Sequence, residues 1–120
     1  MKKATLWALS VVSAAMFLLA GALKWIGVDM EVQLYAAIGI GQWFRYLTGT
    51  LEILGATGLF VPAIAPYAAL LLATVMTGAV FTHLFVVGGS PLAAMLLLAS
   101  TLTIAWLRHE QISSRGVVAA

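Results

Sequence analysis

The sequence predicts an all-α protein, a polytopic membrane four-helix bundle, and three observations support this fold class. First, 63% of the 120 residues are hydrophobic and only 8% are charged, against about 45–50% and about 25% in soluble domains. Second, residues 53–107 contain no Asp, Glu, Lys or Arg, which in water would leave a large apolar surface exposed. Third, the chain divides into four apolar segments of nearly membrane-spanning length.

The first predicted span covers residues 4–23, a run without a charged residue. At about 1.5 Å per residue, a helix of this length matches a hydrocarbon core of about 30 Å. Lys2 and Lys3 precede it, and Lys24 and Trp25 follow it. A cleaved signal peptide is the alternative, because such peptides also begin with basic residues and an apolar run. The run exceeds the usual apolar region of about 7–15 residues, so we predict a retained helix.

Prolines and glycines mark the ends of the other three predicted spans. The second, residues 44–61, stops before Pro62, because proline lacks an amide donor and has a fixed φ. The third, residues 66–87, ends before Gly88, and the fourth, residues 91–107, begins with a proline suited to a first helical turn. Both connections are short, so neighbouring spans are expected to run antiparallel.

The four spans define one domain, residues 1–112, followed by a short flexible tail, residues 113–120. Positive charges are in excess on the side of the two termini. The basic residues on that side are Lys2, Lys3, Arg108 and Arg115, and those on the other side are Lys24 and Arg45. Cytoplasmic loops of membrane proteins carry the excess of Lys and Arg. We therefore expect both termini to be cytoplasmic, in a bacterial inner (plasma) membrane.

The long connection between the first two spans is predicted to lie at the membrane interface. Trp25, Tyr35 and Trp43 suit the headgroup layer. Residues 31–38 are predicted to form a short helix in the surface, broken by the glycine at position 39. A re-entrant loop that contacts a substrate is the alternative for this segment.

The second span carries a stripe of small and polar residues at helical spacing. Its members are Arg45, Thr48, Gly49, Glu52, Ala56 and Leu59. Similar stripes on the first and third spans include Lys24 and His83. Small residues such as Gly21, Gly49 and Gly78 let membrane helices approach closely. We therefore expect the stripes to converge inside the bundle.

The candidate functional residues are the ionisable members of these stripes: Lys24, Arg45, Glu52 and His83. Their positions predict a polar cleft on one side of the membrane, with Glu52 deepest, about 12 Å from the outer end of its helix. A carboxyl at this depth is costly and usually has a partner or a function. Two roles remain open for Glu52: it pins the helices together, or it binds a ligand and handles protons. His83 has the simpler alternative of a hydrogen bond near the interface.

Several kinds of site are excluded by what the chain lacks. There is no cysteine, which excludes disulfides, thiolate nucleophiles and iron–sulfur clusters. Two histidines, His83 and His109, are too few for a closed metal centre, so no metal is predicted. Phosphate-binding and dinucleotide-binding motifs are absent, and no basic cluster predicts nucleic-acid binding.

Three pieces of sequence resemble one family when they are taken in order. They are Gly-x-x-Lys at Gly21 and Lys24, Arg-x6-Glu at Arg45 and Glu52, and Met-x-Gly-Ala-x3-His at Met76, Gly78, Ala79 and His83. Over nearly the whole chain the sequence resembles the DoxX-like family of small four-helix membrane proteins, particularly its short, stand-alone branch. The resemblance implies a four-helix membrane fold, supports the same four candidate residues, and mildly favours redox or quinone chemistry.

Two functional hypotheses follow. In the first, the protein is a redox-accessory subunit that binds a quinone-like or other amphipathic ligand near Glu52. Because no motif encodes a cofactor, a quinone is only one candidate, and electrons would come from a redox partner protein. In the second, it is a structural membrane subunit or assembly helper without chemistry of its own. Whether the protein is an enzyme, and whether it forms a homo-oligomer, stay open.

Overall fold

The structure is a computed structural model that describes residues 2–110, and all the regular secondary structure in this part of the chain is helical. Five α-helices follow one another, with a π-helical segment continuing the fourth: α1 (Lys2–Ile26), α2 (Asp29–Ile38), α3 (Trp43–Gly58), α4 (Ala65–Thr82), the π segment (His83–Val87) and α5 (Leu92–Leu107). The predicted all-α fold class is confirmed. The tail predicted at residues 113–120 lies outside the described residues.

Within residues 2–110, two helical stretches are long and apolar enough to cross a membrane: Lys3–Ile26 and Ala65–Val87, each with a mean hydropathy of 2.1. Only 28% and 17% of their most apolar windows are buried, whereas the core helix of a soluble protein is mostly buried. Their outward faces are therefore apolar, as in a helical membrane bundle.

The other two predicted spans correspond to shorter helices. α3 and α5 have 16 residues each, or about 24 Å of helix, somewhat less than a typical hydrocarbon core. α3 ends at Gly58, and tight turns carry the chain through Val61, whose amide donates to the Gly58 carbonyl at 3.1 Å. The second helix is thus shorter than residues 44–61, and four complete crossings stay a prediction.

The helices pack as two main pairs, α1 on α3 and α4 on α5, which are joined by contacts between α3 and α4. α1 and α3 touch backbone to backbone at two glycines. A Cβ on Gly21 would lie 2.8 Å from the Gly49 carbonyl oxygen, and a Cβ on Gly49 would lie 3.1 Å from the Gly21 carbonyl oxygen. The expected close approach at these two residues is therefore present.

The apolar core lies between the two pairs of helices. Its largest fully buried apolar side chains are Phe17, Leu59, Leu72 and Ile104. At its edge, the hydroxyls of Ser13 on α1 and Ser100 on α5 are 2.5 Å apart and share a hydrogen bond.

The short helix α2 packs near one end of the bundle, against α1, α3 and the π segment. It begins two residues before the predicted 31–38 and ends as expected at a glycine. Gly39 has a φ of 88°, and its amide donates to the Tyr35 carbonyl at 3.2 Å, as in a left-handed helix cap. The buried residues of α2 are Glu31 and Tyr35, one helical turn apart, so one face of α2 is turned into the protein.

Candidate functional site

The ammonium group of Lys24 lies between two buried carboxylates. Its Nζ is 2.9 Å from Glu52 Oε1 and 3.6 Å from Glu31 Oε1. Glu52 is 1% exposed and Glu31 is 8% exposed. Removing such charges from water is expensive, and the cost is offset only by close pairing. The three side chains therefore form one charged cluster, which joins the end of α1 to α2 and α3.

The glycine contact between α1 and α3 explains why Lys24 meets Glu52. Lys24 follows Gly21 by three residues, and Glu52 follows Gly49 by three residues. Residues three apart share a helix face. The two side chains therefore project from the faces that the glycines bring together. Because α1 and α3 run antiparallel, the two positions lie on opposite sides of the crossing point, and the long lysine side chain spans the distance between them to reach Glu52 Oε1.

Arg45 lies close to this cluster and makes hydrogen bonds of its own. It is 5% exposed, its Nη1 donates to the Lys24 carbonyl oxygen, and its Nε donates to Gln42 Oε1 at 2.8 Å. Gln42 in turn donates from Nε2 to the Val32 carbonyl at 3.1 Å. Arg45 therefore ties the end of α1 to the start of α3, and Gln42 extends the connection to α2.

Beside the cluster lies a cavity of about 410 Å³. Its polar lining comes from eight side chains: Lys24, Glu31, Tyr35, Thr48, Glu52, Thr74, Thr82 and His83. Most of the remaining lining is apolar and comes from α3, α4 and α5, including Leu51, Val75, Met76 and Leu97. The cavity thus has a polar end beside the charged cluster and an extended apolar wall.

His83 reaches this cavity from the first residue of the π segment. Its Nδ1 is 3.0 Å from the Gly88 carbonyl oxygen. A carbonyl only accepts hydrogen bonds, so Nδ1 carries a proton in this contact. In the neutral ring Nε2 is then an acceptor. The isolated π turn is a feature that occurs frequently at functional sites.

Of the four residues singled out from the sequence, Lys24, Glu52 and His83 line the same cavity. Arg45 is not among the lining residues; it contacts the cluster through the Lys24 backbone. The structure thus brings three of the candidates to one cavity and places the fourth behind them. Their functional roles stay a proposal.

Glu31 and Tyr35 were expected in an interfacial helix and are also part of this site. Their spacing of four residues places them on one face of α2, but only the packing of α2 shows that this face is buried. Burial raises the pKa of Tyr35, which pairs with Thr48. The phenol therefore keeps its proton at neutral pH and can donate a hydrogen bond.

The carboxylate oxygen Glu31 Oε2 is buried and has no hydrogen-bond partner within residues 2–110. Glu52 Oε1, by contrast, lies 2.9 Å from the Lys24 ammonium, which is the distance of a charge-assisted hydrogen bond. The same range holds no group of three or more His, Cys, Asp or Glu side chains arranged to bind a metal ion. The accessible chemistry of the cavity is therefore that of carboxylates, an ammonium, a phenol and an imidazole.

Two long helices with apolar outer faces and an internal charged cluster define a small helical membrane protein. Residues 8–108 match the model of the DoxX-like family. The chain belongs to the DoxX-like family, which confirms the resemblance drawn from its sequence. Comparison with curated proteins gave no significant match, and neither did comparison with solved structures.

Proposed function

We propose that this small membrane protein binds an amphipathic ligand in the cavity beside Lys24 and Glu52. The ligand's polar head contacts the charged cluster, and its apolar body lies against α3, α4 and α5. The observation that supports this most strongly is the pairing of a buried ion pair with a mainly apolar cavity of about 410 Å³. Small-molecule sites typically have this size, with apolar walls and a few placed polar groups.

A redox-accessory role is one form of this proposal. A quinone-like head has carbonyl oxygens that accept hydrogen bonds, and both Lys24 and the Tyr35 hydroxyl can donate them. His83 lines the same cavity, and an imidazole can both donate and accept a hydrogen bond, so it is the candidate for proton transfer. Electrons would pass between the bound quinone and a partner protein.

The proposed setting is the bacterial inner membrane, crossed four times, with both termini in the cytoplasm. The apolar outer faces of α1 and α4 and the excess of basic residues near the termini support this arrangement. α3 and α5, at about 24 Å each, are accommodated by local thinning of the bilayer around them.

The second candidate function is that of a structural subunit or assembly helper. Lys24 pairs with residues of both α2 and α3, and Arg45 donates to the Lys24 backbone. These contacts hold three helices together without any ligand. In this case the cluster serves packing alone, and the cavity carries no specific occupant.

The substitutions Glu52→Gln and Glu52→Leu separate the two functions. Glutamine keeps the volume and a hydrogen-bonding head but removes the charge, whereas leucine also removes the polar group. For a ligand site, the glutamine variant keeps most of its thermal stability in detergent but loses copurified ligand, measured by mass spectrometry of the intact complex. Thr50→Val is the matched control, because Thr50 is on the same helix and does not line the cavity.

Unchanged ligand content in both Glu52 variants contradicts the binding proposal. A change in stability alone, with the same copurified molecules in every variant, supports the structural subunit instead.

A further inference from the structure

The charges at the polar end of the cavity do not balance. Two carboxylates, Glu31 and Glu52, face the single ammonium of Lys24. The nearby guanidinium of Arg45 directs Nη1 and Nε to the Lys24 carbonyl and Gln42, and His83 directs Nδ1 to the Gly88 carbonyl. By formal charge, the side chains that line the cavity carry two negative charges and one positive charge, which leaves one negative charge in excess. The Arg45 charge lies behind this lining and makes no ion pair with either carboxylate within residues 2–110.

One of the two carboxylates offers an unused acceptor. Glu31 Oε2 is buried and makes no hydrogen bond within the described part of the chain, and the Glu31 side chain lines the cavity beside that of Glu52. An ionised carboxylate can only accept hydrogen bonds. Burying an acceptor of this kind without a donor is costly, so a group that brings donors and positive charge to this point gains the most from binding.

We propose that the cavity selects amphiphiles with a protonated amine head, whose N–H groups donate to Glu31 and Glu52. This inference rests on the proposed ligand-binding function and names its ligand class. The ammonium supplies the missing positive charge and up to three donors. The attached alkyl or aryl body occupies the apolar part of the cavity along Leu51, Met76 and Leu97.

Other head groups pair less well with the two carboxylates, Glu31 and Glu52. A quinone brings only acceptors, which suit Lys24 but not the carboxylates. A carboxylate head adds a third negative charge. An alcohol brings one donor and leaves the excess charge unpaired, and a trimethylammonium brings charge without a donor. The predicted order is therefore amine first, with alcohol and trimethylammonium well behind and carboxylate last.

The test is a titration of the full-length protein in phosphatidylcholine nanodiscs at neutral pH with four probes of equal chain length. They are octylamine, octyltrimethylammonium, octanol and octanoate. Calorimetry of empty nanodiscs removes the contribution from simple partitioning. We expect saturable binding of octylamine that is tighter by about tenfold or more than that of each other probe, as a hydrogen-bonded charge pair provides.

A variant pair locates the binding at Glu31. Glu31→Gln should weaken octylamine binding by about tenfold and leave octanol binding nearly unchanged. Asp29→Asn is the matched control, because Asp29 is an exposed acid on the same helix that does not line the cavity. This control should change octylamine binding less than about twofold.

Saturable binding of octanol or octanoate as tight as that of octylamine overturns the amine inference and leaves the proposed ligand site intact. An equal loss of octylamine affinity in Glu31→Gln and Asp29→Asn also overturns it, since the effect is then one of surface charge. If none of the four probes binds saturably, the ligand site itself is refuted together with the inference.

Discussion

Lys24 is the residue on which the polar end of the cavity depends. Its ammonium is the only cation within 4 Å of Glu31 and Glu52 in the described part of the chain. Without it, the two buried carboxylates have no cation in direct contact. Breaking a buried pair from one side is far more harmful than replacing both partners, because the remaining charge stays desolvated.

Lys24→Met should therefore lower the free energy of unfolding by about 3 kcal/mol, which is typical of a buried charge left alone. The measurement is thermal or denaturant-induced unfolding in detergent. Adding Glu52→Leu to this variant should restore part of the loss, because it removes one of the stranded carboxylates.

Lys3→Met is the control for this prediction, since Lys3 is an exposed lysine on the same helix. Equal stability of the Lys24→Met and Lys3→Met proteins would show that the ion pairs contribute nothing to folding.

Much of this residue-scale arrangement was predictable from the sequence. Glu52 is the only charged residue between Arg45 and Arg108, and helical spacing places it on the same stripe as Gly49. The involvement of Glu31 was not predictable in the same way. The sequence places Glu31 on a short helix, but it does not specify which face of that helix is buried. That face depends on the path of the loop around Gly27, which has a φ of 79° and directs α2 back to the bundle.

At the scale of the helices, the contact between α1 and α3 determines the geometry of the cluster. The two backbones meet at Gly21 and Gly49, and a Cβ on Gly49 would lie 3.0 Å from the Lys24 Cβ. A methyl group at this point therefore pushes α1 away from α3 and moves Lys24 with it.

Gly49→Ala should destabilise the protein by about 1–3 kcal/mol, the usual cost of overfilling a packed contact, and should also reduce ligand retention. Unfolding in detergent and mass spectrometry of the intact complex measure the two effects. Gly78→Ala is the matched control for the stability measurement alone, because a Cβ there meets no atom within 4 Å but Gly78 lines the cavity; it should be neutral or stabilising by up to about 1 kcal/mol. Equal effects of the two substitutions would contradict the tight α1–α3 contact.

Three glycines show which helix contacts the sequence alone does not specify. Gly21, Gly49 and Gly78 were all expected to permit close helix contacts, and the first two do so while Gly78 has open space around it. Likewise, an apolar run up to residue 87 predicts a continuous helix, but the last turn widens into the π segment His83–Val87. Both outcomes depend on neighbouring helices, which local spacing does not specify.

At the scale of the whole molecule, the bundle has a polar end and an apolar surface. The charged cluster and most of the cavity's polar lining are contributed by the end of α1, α2, α3 and the π segment. Lys3 and Arg108 lie at the opposite ends of α1 and α5. In the proposed topology the cluster therefore lies toward the outer side, away from the cytoplasmic termini.

Reporter fusions at residues 1 and 120 test this topology. Both should be active as cytoplasmic reporters, because an even number of crossings and the excess of basic residues place the termini on the same inner side. A reporter inserted between α4 and α5 at Gly89 should read extracytoplasmic, because three crossings precede it, and it serves as the internal control. Termini on opposite sides of the membrane would contradict four crossings.

The most direct test of the central claim is an experimental density map of the protein crystallised in a lipidic mesophase after purification without ligand addition. We predict elongated density in the cavity, with its head within hydrogen-bond distance of Glu52 or Glu31 and its body along Met76 and Leu97. Glu52→Gln crystals grown in the same way should lack this density. A cavity closed by side-chain rearrangement, or the same density in both proteins, would contradict a ligand site built on the Lys24–Glu52 pair.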